Sequence, residues 1–404
     1  PQDCVIVNPS QPGCGFPSKS MAGVGVMFYV LLALRAELRS RGAFSASNQP
    51  RIDQLLPLVA LGTVADVVKL DAHNRRLVAQ GLRRIRSGHM PPGMAALFEV
   101  AGRHPALANS FDLGFALGPR LNAAGRLRDM TLGIECLATD DAHRAAALSQ
   151  ELDAINRERK TLEGDMRDQA LQLAEALWDE AATPPSALCL FDAQFHEGVV
   201  GIVASRLKDK LYRPTFVFAA SQAPGKEHEL KGSGRSIPGF HMRDALDLLA
   251  KRHPGVLLRF GGHAMAAGCT IAQAHLATFD QALQQIATEW LDRATLQRQL
   301  LADGPLLPQY RRADMVDTLN QQVWGQGFAP PVFSEEVEIV SQRLVGQAQN
   351  HLSMKLRHGG EVVDGIWFSH NQPLPTRVKL AYRLDTDTWQ GQRRVRFLIE
   401  GAEV

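Results

Sequence analysis

The sequence has few cysteines, and no two of them lie at the spacing of a zinc site or a redox motif. The five are scattered along the chain: Cys4, Cys14, Cys136, Cys189 and Cys269. Disulfide-stapled domains and structural zinc sites both need cysteines in paired sets. We therefore exclude both kinds of site and expect a reducing, cytoplasmic environment.

Long apolar runs are also absent. The most apolar stretch, Met21–Leu34, is shorter than the run of about 20 residues that crosses a bilayer. It predicts a buried core helix instead, and we expect no membrane association. No signal peptide is visible either. The chain starts at Pro1, and Asp3–Pro9 has the pattern of a buried strand leading into a turn, so we expect this N-terminus to be a cut inside a domain.

Charge is nearly balanced, at a formal +2, so the overall charge does not indicate a nucleic-acid-binding protein. Its distribution is less even. Between Gly201 and Phe260 there are eleven Lys and Arg residues and five Asp and Glu residues, a net charge of +6. Such a basic region is suited to phosphates, although a solvated surface has the same composition.

The 404 residues are too many for one ordinary domain. In the first part, the apolar runs Val5–Val7 and Leu55–Val68 are strand candidates that alternate with helical patterns at Met21–Leu38 and Asn74–Arg86. This alternation is typical of an α/β domain with a largely parallel sheet. Apolar residues then recur at helical spacing and predict one long connecting helix: Leu148, Leu152, Ile155, Leu162, Met166, Leu173 and Leu177.

Two further regions follow the predicted long helix. Strands at Ala187–Phe191 and Thr215–Ala219 indicate a second α/β unit. Five β-rich runs then predict a small barrel, for which an OB fold is the natural candidate: Val337–Val345, His351–Leu356, Glu361–Phe368, Arg377–Tyr382 and Arg394–Ile399. The predicted domains are residues 1–140, 141–182 (the long helix), 183–295 and 296–404.

Asp66 is a carboxylate inside the otherwise apolar run Leu61–Val68, after a glycine that could mark the end of a strand. A carboxylate in such surroundings needs a metal ion, an arginine or backbone donors to compensate its burial. From the residues alone, a metal ligand, a helix N-cap and a structural ion pair all stay open.

A second candidate segment is rich in arginine and small residues. Gly118–Arg126 places Arg120, Asn122 and Arg126 in what looks like a loop, where guanidinium groups can pair with phosphate oxygens. A capped helix start with surface arginines is the alternative interpretation.

Gly232–Ser236 supplies backbone N–H groups, the Ser233 hydroxyl and the Arg235 guanidinium within five residues. This is a suitable set of groups for binding a phosphate, although Gly/Ser loops are common. His263 follows two glycines in a run of small residues, and His196 lies in a similar turn. Either imidazole could donate to a phosphate, transfer a proton or have a purely structural role.

Six segments, read in order, resemble the DHH phosphoesterase superfamily and the RecJ family in particular. They are VNPSQPGCGFPSKSMAGVGVMFYV (7–30), LGTVADVVKL (61–70), LGPRLNAAGRL (117–127), FHEGVVGIVASRLKDKLYRPTFVFA (195–219), GSGRSIPGF (232–240) and GGHAMAAG (261–268). WGQGFAPPVF (324–333) and the β-rich tail resemble the OB-type domain of the family. The resemblance covers nearly the whole chain.

This resemblance implies a single-strand-specific 5′→3′ DNA exonuclease of DNA repair and recombination, in which two Mn²⁺ or Mg²⁺ ions assist phosphodiester hydrolysis. It implies that Asp66 is a metal ligand, and that Asp66 and His263 are catalytic. It also assigns substrate contacts to six residues: Arg120, Asn122, Arg126, Ser233, Arg235 and His263. The partner is single-stranded DNA, single-strand-binding protein is a second candidate, and we expect a monomer.

Four aromatic residues are candidates either for stacking on bases or for the core: Trp324, Trp367, Tyr382 and Trp389. The architecture implied by the family is a cleft that admits one strand and excludes a duplex.

The chain departs from the family pattern in one respect. The Asp-His-His triplet and the other acidic motifs that supply most metal ligands are absent, and we expect them upstream of Pro1. We therefore predict negligible Mn²⁺-dependent nuclease activity for these 404 residues. Two alternatives stay open: a DHH enzyme acting on short oligonucleotides, cyclic dinucleotides or pyrophosphate, and a RecJ relative that binds nucleic acid without cleaving it.

Overall fold

The computed structural model describes residues 5–45, 47–176, 185–389 and 392–403, except for the side chains of residues 176, 388, 389 and 392. The chain forms two compact units. Unit 1 comprises Pro1–Leu121, Gly133–Gln150 and Leu300–Val404, and unit 2 comprises Asn122–Leu132 and Glu151–Gln299. The predicted domain boundaries after residues 140, 182 and 295 stay a prediction.

The first part of the chain is helical. Its elements are α1 (Gly23–Ser40), α2 (Leu56–Ala65), α3 (Ala72–Arg86), α4 (Pro92–Val100), a π-helical turn (Asp112–Leu117), α5 (Gly118–Leu127), α6 (Thr131–Ala138) and α7 (Ala142–Ala176). Helices α5 and α7 each contribute residues to both units. No helix in the described ranges is both long and apolar enough to cross a membrane.

The strands predicted in this region are wrong. Leu55–Val68 is mostly the helix α2, which buries residues on several sides and therefore shows no helical alternation. Its partner α3 lies so close that a Cβ at Gly81 would be 2.4 Å from the Leu56 carbonyl oxygen. Val5–Val7 is exposed and irregular, while residues 3 and 4 lie outside the described residues.

Helix α3 shows why the remaining helical predictions hold. The Asp71 side chain caps its N-terminus by accepting hydrogen bonds from the N–H groups of His73 and Asn74. Leu77, Val78, Leu82 and Ile85 form its buried face, and its arginines lie elsewhere. The predicted long helix is likewise confirmed as α7, and its predicted end near residue 180 lies outside the described residues.

Unit 2 is built on a five-stranded mixed sheet in the order β1-β2-β3-β5-β4. The strands are β1 (Leu188–Phe191), β2 (Thr215–Ala220), β3 (Glu229–Arg235), β4 (Leu257–Gly262) and β5 (Ala266–Ala272), with helices α8 (Val200–Leu211), α9 (Met242–Arg252) and α10 (Leu276–Trp290). Strands β1 and β2 are parallel, and the other pairs are antiparallel. The mixed α/β class is confirmed, and this sheet supplies it.

Two aromatic side chains of β2 explain the glycines of β3. The rings of Phe216 and Phe218 are fully buried and lie directly over Gly234 and Gly232, where a Cβ would be 2.5 Å and 2.3 Å from ring carbons. The segment predicted as a Gly/Ser loop is therefore a strand, with its glycines on the core face. Ser233 and Arg235 alternate onto the opposite face.

The tail is a closed five-stranded barrel, as predicted. After helix α11 (Ala313–Gln321) come β6 (Phe333–Val345), β7 (His351–His358), β8 (Glu361–Trp367), β9 (Arg377–Trp389) and β10 (Gln392–Glu403). Tyr382 is wholly buried in this barrel, where its ring stacks on Phe397 at 3.7 Å and its hydroxyl donates to Glu335. It is a core residue and not a stacking platform.

Candidate functional site

Asn122 and Arg126 project from α5, which is a helix and not the loop that the sequence suggested. Both are exposed and lie one helical turn apart, so they share a face. Arg120 is partly buried, and its guanidinium donates to the carbonyl oxygens of Ala116 (2.6 Å) and Val100 (3.4 Å). In this structure, the Arg120 guanidinium therefore makes hydrogen bonds to backbone carbonyls.

Ser233 and Arg235 lie on one face of β3, beside the first turn of α8. Arg235 Nη1 donates to Ser233 Oγ at 2.9 Å and to the Gly234 carbonyl at 2.8 Å. Gly201, in that first turn, is so close that a Cβ would be 2.8 Å from Arg235 Nη2 and 2.9 Å from Ser233 Oγ. The two side chains therefore lie against the positive end of a helix dipole, an environment that favours anions.

Arg126 belongs to the same cluster. Desolvation and the nearby positive charge of Arg126 lower the pKa of Arg235. Desolvation and repulsion from Arg159 also lower the pKa of Arg126, against the opposing effect of Glu163. Within the described residues neither Arg126 nor Arg235 forms a salt bridge, and the Arg126 guanidinium donates only to the Gly198 carbonyl at 3.4 Å. Two positive charges thus lie together without a bound carboxylate.

Two other arginines nearby share one buried carboxylate. Glu163 of α7 is buried and accepts from Arg159 Nη1 at 2.5 Å and from Arg206 Nε at 3.0 Å. The Asn156 side chain, one helical turn before Arg159, accepts two further hydrogen bonds from the Arg159 guanidinium. Sequence reasoning missed this group, although three polar residues on the buried face of an amphipathic helix were a usable signal.

His263 lies at the β4–β5 turn, where its backbone N–H donates to the Ala266 carbonyl at 2.8 Å. It is exposed and lines a polar cavity of about 430 Å³ with His241, Asp244 and Asp247. Across the sheet, Gly262 pairs with Ala267, which pairs with Gly234. The turn therefore lies at the Arg235 end of the sheet, two strand spacings or about 10 Å from β3.

The turn around His196 has a local role. Its Nδ1 accepts a hydrogen bond from the Gly198 N–H at 3.0 Å, which holds the loop that enters α8. The structural interpretation of His196 is therefore the better one.

Asp66, in unit 1, is the exposed C-terminal cap of α2 and not part of a strand. The next residue, Val67, has a left-handed backbone with φ of +56°. Such a conformation is rare for a β-branched residue and marks a locally constrained backbone. The sequence showed neither this backbone conformation nor the exposure of Asp66, because the surrounding apolar run suggested that the carboxylate is buried.

The described residues do not fit a divalent metal site by themselves. No three His, Cys, Asp or Glu side chains among them are placed to hold a metal ion. One exposed carboxylate provides too few ligands for Mn²⁺ or Mg²⁺.

Comparison with known proteins identifies the family. Residues 185–289 match the DHHA1 domain, and residues 302–401 match the RecJ OB domain. Single-stranded-DNA-specific exonuclease RecJ of Escherichia coli (strain K12) is 46% identical over 403 residues, covering 98% of this chain and 69% of the relative. The chain belongs to the RecJ family. RecJ of Bacillus subtilis (strain 168) is 30% identical over 99% of the chain, which spans 48% of that relative.

Solved RecJ structures agree with this assignment. RecJ of Thermus thermophilus in complex with Mn²⁺ matches with a TM-score of 0.80 at 28% identity, over 98% of this chain and 55% of that one. The complex of the same protein with Mg²⁺ matches with a TM-score of 0.79 at 29% identity, over 96% and 57%. The present chain thus spans little more than half of the Thermus thermophilus RecJ chain in these two structures.

Proposed function

We propose that this chain serves in the 5′→3′ hydrolysis of single-stranded DNA, in DNA repair and recombination, as a RecJ-type exonuclease. The observation that supports this best is the cluster of Arg126, Ser233 and Arg235 at the start of α8. Its two guanidinium groups have no carboxylate partner among the described residues, so a phosphate oxygen is the ligand that completes their charge.

The geometry of the cluster suits a phosphate. Ser233 supplies a hydroxyl, Arg235 a fork of N–H donors and α8 the positive end of its dipole. Because Gly201 has no side chain, Arg235 and Ser233 can lie directly against the first turn of α8. Asn122, on the Arg126 face of α5, is proposed as a further contact. Arg120, in unit 1, is proposed as a substrate contact on the family resemblance alone.

The catalytic assignments rest on the family resemblance. We propose that His263 donates a hydrogen bond to a phosphate next to the reacting group. We propose Asp66 as one ligand of two Mn²⁺ or Mg²⁺ ions. Because the described residues do not complete a metal site, no hydrolytic step is assigned to them. The cytoplasm, a monomeric state and association with single-strand-binding protein are proposed on the same resemblance.

The test is a binding titration of this chain with a fluorescent single strand at several salt concentrations. We expect Arg235→Gln to weaken binding about 10- to 150-fold, since a charged hydrogen bond contributes about 1.5–3 kcal/mol. The slope of log affinity against log salt should also fall by about 0.7 for the lost phosphate contact. Arg252→Gln is the control, since that arginine is paired with Glu289 and lies outside the cluster. Equal affinities for the two variants would refute the assignment.

The same titration separates the alternatives. A DHH enzyme for short substrates would bind a dinucleotide as tightly as a long strand. The barrel favours the long strand, because an OB-type surface adds contacts over several nucleotides. A non-catalytic RecJ relative would bind the long strand and leave it intact even when joined to a complete set of metal ligands.

A further inference from the structure

Trp324–Phe328 forms a compact turn ahead of the barrel. The Gly325 N–H donates to the Phe328 carbonyl at 2.9 Å, and the Phe328 N–H donates back at 3.0 Å. The Trp324 and Phe328 rings stack with centroids 5.2 Å apart and planes 12° apart. The Trp324 indole N–H is bonded to the Leu319 carbonyl, so this ring is engaged within the protein.

This turn is bonded to the loop between α2 and α3, which lies in the same unit. The Leu70 N–H donates to the Gln326 carbonyl at 2.7 Å. Both glycines of the turn are needed for the approach. A Cβ at Gly325 would be 2.7 Å from Leu70 Cδ1, and one at Gly327, where φ is +71°, would be 2.8 Å from Lys69 Cγ.

Arg75 and Ser110 extend the contact on either side. The Arg75 guanidinium lies 3.5 Å from the centroid of the Phe328 ring. Its Nε is buried and has no hydrogen-bond partner among the described residues, so the ring face is what stabilises the charge there. Ser110 Oγ donates to the Trp324 carbonyl at 2.7 Å.

The loop held in this way contains a conformation that needs support. Val67 has its left-handed backbone three residues before Leu70 and directly after Asp66. Such a residue persists only where the surrounding structure fixes it. The Asp71 side chain caps α3 at the far end of the loop. The 324–328 turn contacts the loop at Leu70, between Val67 and Asp71.

We propose that the 324–328 turn is a clip that fixes the backbone of residues 67–71 and thereby positions the Asp66 carboxylate. Phe328 and Arg75 are positioning residues, which act through the loop and not on substrate. The inference depends on the proposed function only for the role of Asp66 as a metal ligand. It joins the OB-type part of the chain physically to that carboxylate.

Amide hydrogen exchange tests the clip without DNA or metal. In Phe328→Leu, which keeps apolar volume but removes the ring, exchange at the Leu70 amide should quicken at least tenfold. Phe328→Trp restores a ring face and should restore most of the protection. Exchange at the Leu356 amide, inside the barrel, should not change. Phe368→Leu, at an exposed phenylalanine directly after β8, is the matched control. Unchanged Leu70 exchange in Phe328→Leu would overturn the proposal.

A second measurement addresses the strain itself. Val67→Gly relieves the left-handed backbone, so it should raise the urea midpoint of the parent chain. It should raise that of the Phe328→Leu chain less, because there the loop has already relaxed. Equal gains in both backgrounds would show that the turn does not hold Val67. A failed DNA titration would refute the proposed function and leave both of these outcomes intact.

Discussion

A single methyl group added at Gly201 should weaken phosphate binding without harming the fold. A Cβ there would be 2.8 Å from Arg235 Nη2 and 2.9 Å from Ser233 Oγ. An ordinary contact needs about 3.4 Å, so the guanidinium must retreat by about 0.6 Å or swing away. Its hydrogen bond to Ser233 and its place beside the helix N-terminus cannot both survive that displacement.

Gly201→Ala should raise the free energy of unfolding and lower the affinity for DNA. Alanine in place of a helical glycine stabilises a helix by up to about 1 kcal/mol. The lost contact to a charged ligand costs about 1.5–3 kcal/mol, which is an affinity for single-stranded DNA about 10- to 150-fold weaker.

Two assays on the same samples check this prediction: a urea titration for stability and fluorescence anisotropy with a labelled single strand for affinity. Gly164→Ala is the control, because Gly164 lies in α7 and a Cβ added there would have no atom within 4 Å apart from the backbone of its own helix. It should keep full affinity. If Gly201→Ala binds DNA as tightly as Gly164→Ala, Ser233 and Arg235 do not form the phosphate site.

Three further predictions concern activity, stability and thiol reactivity. Incubated with Mn²⁺ and a labelled single strand, the chain should release no nucleotides beyond a metal-free control, and digestion that Asp66→Ala abolishes would contradict this. Glu335→Gln should cost about 3–5 kcal/mol in urea unfolding, because the buried carboxylate is paired with Arg311, and a loss under about 1 kcal/mol would count against that pair. Burial raises the pKa of Cys136 to about 11, so at pH 8 only about one thiol in a thousand is ionised and its labelling should lag far behind that of Cys14. Labelling of Cys136 should quicken as the pH rises towards that pKa, and a rate independent of pH would contradict the expectation that the raised pKa limits labelling.

Local patterns were sufficient where each strand or helix has one buried face. All five barrel strands were predicted, because inward and outward residues alternate along them, as in His351–His358. The long helix α7 was predicted from its repeating apolar positions for the same reason. The prediction of a strand was wrong for Leu56–Ala65 because this helix is buried on several sides. A helix buried in this way shows no alternation of apolar and polar residues that would distinguish it from a buried strand.

The candidate site was only partly predictable. Family-like motifs located Arg126, Ser233 and Arg235, but they did not show that β3 is a strand whose glycines lie under aromatic rings. Gly201 could not be found from sequence, because its importance depends on the distance between a helix start and a neighbouring strand. The exposure of Asp66 was missed because neighbouring apolar residues do not determine which way a helix cap points.

The arginines of this chain separate into two kinds by what lies opposite them. Arg159 is held by Glu163 in a buried contact, and Arg311 is held by Glu335 in the barrel. Each of these two arginines is paired with a buried carboxylate, so its charge is used within the fold. Arg126 lies close enough to Arg235 to lower its pKa, yet neither has a carboxylate partner within the described residues. A fold that leaves Arg126 and Arg235 without a salt bridge among the described residues favours an external anion at that point, so a net charge of only +2 does not argue against a phosphate-binding site here.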